Sequence, residues 1–156
     1  MIKEGEVAPD FELPDQDGNP VRLSSLRGHK VVLYFYPKAN TPGCTTQACG
    51  VRDHQLDYRA KDAVVLGISP DPVKAVQKFH HKQHLNFTLL ADEDHEVAEA
   101  YGVWVEKSMY GKTYWGAKRV TFVLDEDGVV RKVIKKVKPE THDAEVLAAL
   151  AELQPA

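Results

Sequence analysis

Two cysteines, Cys44 and Cys49, stand in the stretch Pro37-Lys38-Ala39-Asn40-Thr41-Pro42-Gly43-Cys44-Thr45-Thr46-Gln47-Ala48-Cys49-Gly50, and the chain has no others. Thr41 suits a helix N-cap. Pro42 suits the first helical position, where its missing N–H would be unpaired in any case, so Cys44 falls in the first turn. The free N–H groups and the positive dipole end of such a turn stabilise negative charge, which raises the thiolate fraction of a cysteine placed there. The chemistry on offer is that of a nucleophilic, oxidisable sulfur. An inert buried thiol is the plain alternative, and the Thr-Pro-x-Cys helix start speaks against it.

Cys49 lies one and a fraction turns further on. Five residues of ideal helix give ~7.5 Å of rise and ~140° of rotation, hence a Cα separation of ~8.7 Å. A disulfide tolerates no more than about 7 Å. If the two sulfurs bond in a working cycle, the first turns must unwind, and Gly50, a weak helix residue, is expected to ease that.

The elements that must position the cysteines can be read from the apolar pattern. Val31-Val32-Leu33-Tyr34-Phe35-Tyr36 is a buried central strand that delivers the chain to the cysteine helix, expected over about 42–60. Ahead of it, Phe11-Glu12-Leu13 and Val21-Arg22-Leu23 alternate around a turn-rich link and predict a small N-terminal hairpin, followed by a short capped turn at Ser24-Ser25-Leu26-Arg27-Gly28. Residues 63–69 form a second buried strand. Val73, Val76, Phe79 and His80 then recur at helical spacing up to about Leu85, 87–91 is a third strand, and a helix over 95–101 is capped from Asp92-Glu93-Asp94 and closed by Gly102. Residues 103–118 read as a strand fragment and a long loop. Val120–Leu124 and Val129–Ile134 flank Asp127-Gly128, a strong hairpin signal, and a terminal helix starts near Thr141 with Val146, Leu147, Leu150 and Leu153 on one face.

At 156 residues, with 43% hydrophobic and 28% charged residues, the chain fits one domain, 1–156, large enough for a sheet covered by helices. A net charge of −3 gives no general reason for binding nucleic acid or an anionic membrane surface. The apolar runs are strand-sized, and Met1–Glu6 lacks the apolar stretch of a signal peptide, so a soluble, cytoplasmic protein is expected. In a reducing compartment a C-x4-C pair points to metal or redox chemistry rather than to a structural staple.

Strands alternating with helices and ending in a hairpin plus helix predict an α/β fold, a mixed sheet with helices on both faces, which a thioredoxin-like topology satisfies. No glycine-rich phosphate loop follows any strand, against a nucleotide-binding sheet. Pro37…Thr41-Pro42-Gly43-Cys44 resembles the P-x-x-x-[TS]-x-x-C signature of peroxiredoxins, and Cys44-Thr45-Thr46-Gln47-Ala48-Cys49 resembles the bacterioferritin comigratory, or Q-type, subfamily. Ala8–Gly18, Asn86–His95 and Gly102-Val103-Trp104…Gly111-Lys112-Thr113-Tyr114 extend the likeness over nearly the whole chain. The resemblance implies a peroxidatic Cys44 that attacks a hydroperoxide and becomes a sulfenic acid. It further implies a Cys49 that resolves this as an intramolecular disulfide, reduction by thioredoxin or a similar dithiol, a monomer, and a site completed by Thr41 and by Arg119 just before Val120. No cofactor or metal is called for.

Two other functions fit parts of the pattern. A general dithiol–disulfide oxidoreductase would use the same fold, although the C-x-x-C that holds two sulfurs in bonding range is missing. A metal-binding redox sensor would join Cys44 and Cys49 to nearby histidines; His80 and His84 are spaced i, i+4 with His81 between, but a solvated helix face is the simpler expectation, and His95-Glu96 does not begin an H-E-x-x-H motif. The basic run Arg131–Lys138 alternates like a half-exposed strand whose lysines blunt edge pairing.

Overall fold

The computed structural model describes residues 1–153. The strands among these residues are β1 (Glu12–Pro14), β2 (Pro20–Arg22), β3 (Lys30–Phe35), β4 (Ala63–Ser69), β5 (Thr88–Ala91), β6 (Trp104–Met109), β7 (Lys112–Ala117), β8 (Val120–Leu124) and β9 (Val130–Ile134). The helices are α1 (Pro42–Asp53), α2 (Gln55–Ala60), α3 (Val73–Lys82), α4 (Glu96–Ala100) and α5 (His142–Glu152). Residues 154–156 of the single domain expected from the sequence lie outside the described residues.

Five strands form one sheet in the order β5-β4-β3-β8-β9, with β3, β4 and β5 parallel and β8 and β9 antiparallel to their neighbours. This is the expected mixed sheet. β3 lies at its centre, and every residue of it is buried, including Lys30, whose ammonium donates to the Lys61 carbonyl at 3.2 Å. Alternation along β3 divides the core. Val32 and Tyr34, with Tyr36 beyond the strand end, pack with α1, α2, α3 and α5 on one face. Val31, Leu33 and Phe35 pack with α4 and the N-terminal segment on the other. Each fully buried apolar side chain of this kind contributes about 1.5–3 kcal/mol, so a one-residue slip of β3 would forfeit both faces at once.

The N-terminal hairpin is present as β1 and β2, and β8 and β9 form the hairpin turned by Asp127-Gly128, with a bulge between Val123 and Leu124. Two regions differ from the sequence reading. Residues 103–118 are not a strand fragment with a long loop but a second hairpin, β6 and β7, joined by Tyr110-Gly111 with φ of 52° and 76°. Both turn residues are left-handed, as a two-residue hairpin loop demands, but tyrosine is an unusual occupant of that position and hid the signal. The cysteine helix does not run unbroken from 42 to 60. It stops at His54, whose ring Nδ1 lies 2.8 Å from the Gly50 carbonyl, and α2 begins one residue later. The short α4 takes its cap from Asp92, whose buried carboxylate accepts the N–H groups of Val97 at 3.2 Å and Ala98 at 2.8 Å.

Candidate active site

β3 ends at Phe35, and the loop after it is tied down before α1 starts. The N–H of Ala39 donates to Asp71 Oδ2 at 2.8 Å, and Ser69 Oγ, at the end of β4, donates to the same oxygen at 2.8 Å. Asn40 follows in a left-handed conformation, φ 68°, which asparagine tolerates better than most residues. Thr41 then takes the N-cap position with extended backbone, and Pro42 occupies the first helical turn as expected.

The side chain of Thr41 does not cap the helix. Its hydroxyl donates backwards to the Lys38 carbonyl at 2.9 Å, while its own carbonyl accepts the first helical bond from the Thr45 N–H at 2.8 Å. The consequence is chemical. The Thr41 hydroxyl leaves the N–H groups of the first turn without a side-chain cap, and its oxygen keeps its accepting capacity.

Cys44 is 1% exposed, so its sulfur is almost wholly shielded from solvent. Arg119, in the two-residue link between β7 and β8, donates from Nη2 to Cys44 Sγ at 3.3 Å and from Nη1 to Gln47 Oε1 at 2.6 Å. Gly43 makes room for this guanidinium: a Cβ there would stand 3.2 Å from Arg119 Nη2. The sulfur thus faces a guanidinium as well as a helix N-terminus, two groups that interact favourably with negative charge. Burial, with Cys44 adding to it, pushes the phenols of Tyr34 and Tyr36 above their ordinary value.

Three further side chains belong to this neighbourhood and were not singled out from the sequence. Gln47, fully buried, positions Arg119; its place three residues after Cys44, on the same helix face, was the available signal. Lys107 of β6 lies across Gly116 and donates to the Ala117 carbonyl at 2.6 Å, and burial together with the Arg119 charge holds its pKa below the usual lysine value while Cys44 opposes this. His142, at the start of α5, shares a hydrogen bond of 2.9 Å with Thr121 Oγ1; burial and the nearby Arg119 charge lower its pKa to about 4. No sequence pattern marks Lys107 or His142, because each is brought in by tertiary packing.

Cys49 is half-buried on the intact α1, and both thiols are free. The structure therefore brings Arg119 onto Cys44, sets Thr41 at the N-cap of the same helix, and leaves Cys49 further along it. His80 and His84 do not face each other on a helix: α3 stops at Lys82, His80 shares a hydrogen bond of 3.0 Å with the Phe87 carbonyl, and His84 is an exposed left-handed residue. Among the described residues no three His, Cys, Asp or Glu side chains converge as a metal site.

Comparison with known proteins places this geometry in context. The family model described as AhpC/TSA matches residues 5–133. The chain is 50% identical over 151 residues to peroxiredoxin Bcp of Escherichia coli K12, covering 97% of each chain. It superposes on the crystal structure of peroxidoxin BcpB from Mycobacterium tuberculosis with a TM-score of 0.89 at 40% identity, covering 99% of this chain and 100% of that one. With the bacterioferritin comigratory protein of Xanthomonas campestris, studied for its alkyl peroxide reduction activity, the TM-score is 0.86 at 38% identity over 91% of this chain and 90% of that one. The fold is thus the thioredoxin-like fold of these proteins, and the chain belongs to the AhpC/TSA family and, within it, to the Bcp or Q-type peroxiredoxins.

Proposed function

We propose that Cys44 is the peroxidatic residue of this thiol peroxidase, acting on hydrogen peroxide and small organic hydroperoxides. The Cys44 thiolate attacks the terminal peroxide oxygen; the S–O bond forms as the O–O bond breaks, and the departing alkoxide or hydroxide takes up a proton and leaves as alcohol or water. The single observation that carries this reading is the Arg119 guanidinium 3.3 Å from a sulfur seated in a helix first turn. A cation there stabilises the nucleophile and hydrogen-bonds the oxygen on which charge develops, while the first-turn N–H groups supply further donors and the Thr41 oxygen, its own proton held by the Lys38 carbonyl, accepts from the peroxide O–H.

Cys49 then resolves the sulfenic acid as an intramolecular disulfide, and thioredoxin or a comparable dithiol protein reduces that bond. The capture keeps Cys44 on the reversible rung of sulfur oxidation. Because the two cysteines stand on one intact helix, the bond requires α1 to open. Two free thiols in this role suit a reducing compartment, and a cytoplasmic monomer of one domain is the setting we assign. No helix of the described residues is long and apolar enough to cross a membrane.

Intact mass and free-thiol counts after one equivalent of hydrogen peroxide test the cycle. Wild type is expected to lose two hydrogens, Cys49→Ser to trap a sulfenic acid on Cys44, and Cys44→Ser to consume no peroxide. Turnover that survives Cys44→Ser sinks the assignment.

A further inference from the structure

The far end of α1 is held by contacts outside the peroxide site. Cys49 and Arg52 are i, i+3 neighbours on one helix face. The Cys49 thiol donates to Gln83 Oε1 at 3.5 Å, and Arg52 Nη1 donates to the main-chain carbonyl of the same Gln83 at 2.7 Å. Asn86 Nδ2 donates back to the Arg52 carbonyl at 3.2 Å. Gln83 itself is fixed, because it closes α3 with its N–H on the Phe79 carbonyl at 3.1 Å. Two groups of α1 therefore converge on one residue at the end of a packed helix.

Building on the reading of Cys49 as the resolving thiol, we propose that Gln83 is a positioning residue that restrains Cys49 and so sets how long the Cys44 sulfenic acid survives. Resolution needs Cys49 to leave Gln83. Its sulfur gives up the thiol proton and attacks the Cys44 sulfur; the S–O bond breaks, and the hydroxyl leaves with a proton as water. The Cys49 sulfur is oxidised and the Cys44 sulfur reduced to the disulfide level. The competing step does not involve Cys49: a second hydroperoxide transfers an oxygen to the sulfenic sulfur, which becomes sulfinic acid while the peroxide leaves as alcohol or water. A restraint on Cys49 slows the first step and leaves the second alone, so it shifts the partition toward over-oxidation.

The test uses the reduced full-length protein mixed rapidly with hydrogen peroxide, with sulfenic acid, disulfide and sulfinic acid followed by quenched mass spectrometry. Gln83→Ala removes the acceptor of the thiol but keeps the main-chain carbonyl that Arg52 binds, and Gln83→Leu does the same at similar volume. Loss of one weak thiol hydrogen bond is expected to speed disulfide formation about twofold to fivefold and to lower the sulfinic yield at high peroxide by a similar factor. The rate of peroxide attack on Cys44 stays at the wild-type value, a split that a merely structural role would not produce. Gln83→Glu keeps an acceptor and resolves no faster than wild type. If both acceptor-free variants resolve at the wild-type rate while wild type still forms the Cys44–Cys49 disulfide, the Gln83 role is overturned and the resolving role of Cys49 stands. A wild type that forms no such disulfide overturns both.

Discussion

The two ends of α1 are held by different kinds of contact. At the first turn, Cys44 is gripped by one charged group, with Arg119 bonded to the sulfur and to Gln47 a turn later. At the second half, the grip is spread over packing and several hydrogen bonds: Cys49 and Arg52 on Gln83, Asn86 on Arg52, and, on another face, Gly50 pressed against Asp143 of α5. The Asp143 carboxylate accepts the Tyr58 hydroxyl at 2.5 Å and lies 3.6 Å from the His54 ring, so α2 joins the same clamp. A charge-based grip changes when its sulfur is oxidised; a packing-based grip does not. Under the proposed cycle, oxidation of Cys44 first alters the Arg119 contact, and Cys49 must still leave Gln83 before the disulfide closes, while the remaining contacts of the second half stay as they are.

The largest expected effect lies at the first turn. Arg119→Met removes the charged side chain that donates to the Cys44 sulfur, together with the proposed donor to the peroxide oxygen, and by analogy with lost transition-state donors should lower the rate of peroxide attack about 10²- to 10³-fold. Iodoacetamide labelling of Cys44 should slow in parallel. A variant that reacts with peroxide within a factor of three of wild type would show that the helix N-terminus alone activates the sulfur, and the contrast between the two ends would collapse.

The stability of the fold as a whole should respond to pH. His142 begins the α5 turn on which Asp143 sits, and its pKa in the fold, about 4, lies below the unfolded value near 6.5. The fold therefore binds fewer protons than the unfolded chain between these values, so the His142 contribution is fully present above pH 6.5 and is lost as pH falls toward 4, by about 3 kcal/mol in total. Asp92 and Asp143 act in the opposite sense, because burial raises both carboxyls. The difference between wild type and His142→Gln isolates the histidine. Urea midpoints at pH 7 and pH 4.5 should show wild type losing more stability than the variant. Equal losses in both would show that burial of His142 does not carry this pH dependence.

How far the sequence could be read follows the same division. β3, β4 and the β8–β9 hairpin show in their apolar runs and in Asp127-Gly128, and the placing of Cys44 shows in Thr41-Pro42, because each is set by local chemistry. Arg119 could be placed only through the family pattern, since nothing local distinguishes an arginine between two strands. The β6–β7 hairpin was missed because Tyr110-Gly111 is not a customary turn pair and its strands are too exposed to alternate cleanly. The break at His54 has no proline or glycine to announce it. It comes from the ring of His54 on the Gly50 carbonyl and from Asp143, 89 positions further along the chain (143 − 54), which no local pattern can show.

Gly50 was expected from its weak helix propensity to ease unwinding, and the packing gives it a second reason to be glycine. A Cβ at residue 50 would stand 2.3 Å from Asp143 Oδ2. Two effects compete in Gly50→Ala. Alanine gains about 1 kcal/mol of helix propensity over glycine. Against this, the buried carboxylate must shift from its seat between Tyr58 and His54, and overpacking of this sort, with a disturbed buried hydrogen bond, costs about 1–3 kcal/mol. The balance should be a net loss of about 1 kcal/mol, visible as a lower urea midpoint with an unchanged slope, while the rate of peroxide attack at Cys44 stays within twofold of wild type because the first turn is untouched. A variant that is stabilised by the full propensity gain would mean that Asp143 yields freely. In that case α5 does not hold the second half of α1, and what holds it reduces to the contacts with Gln83 and Asn86.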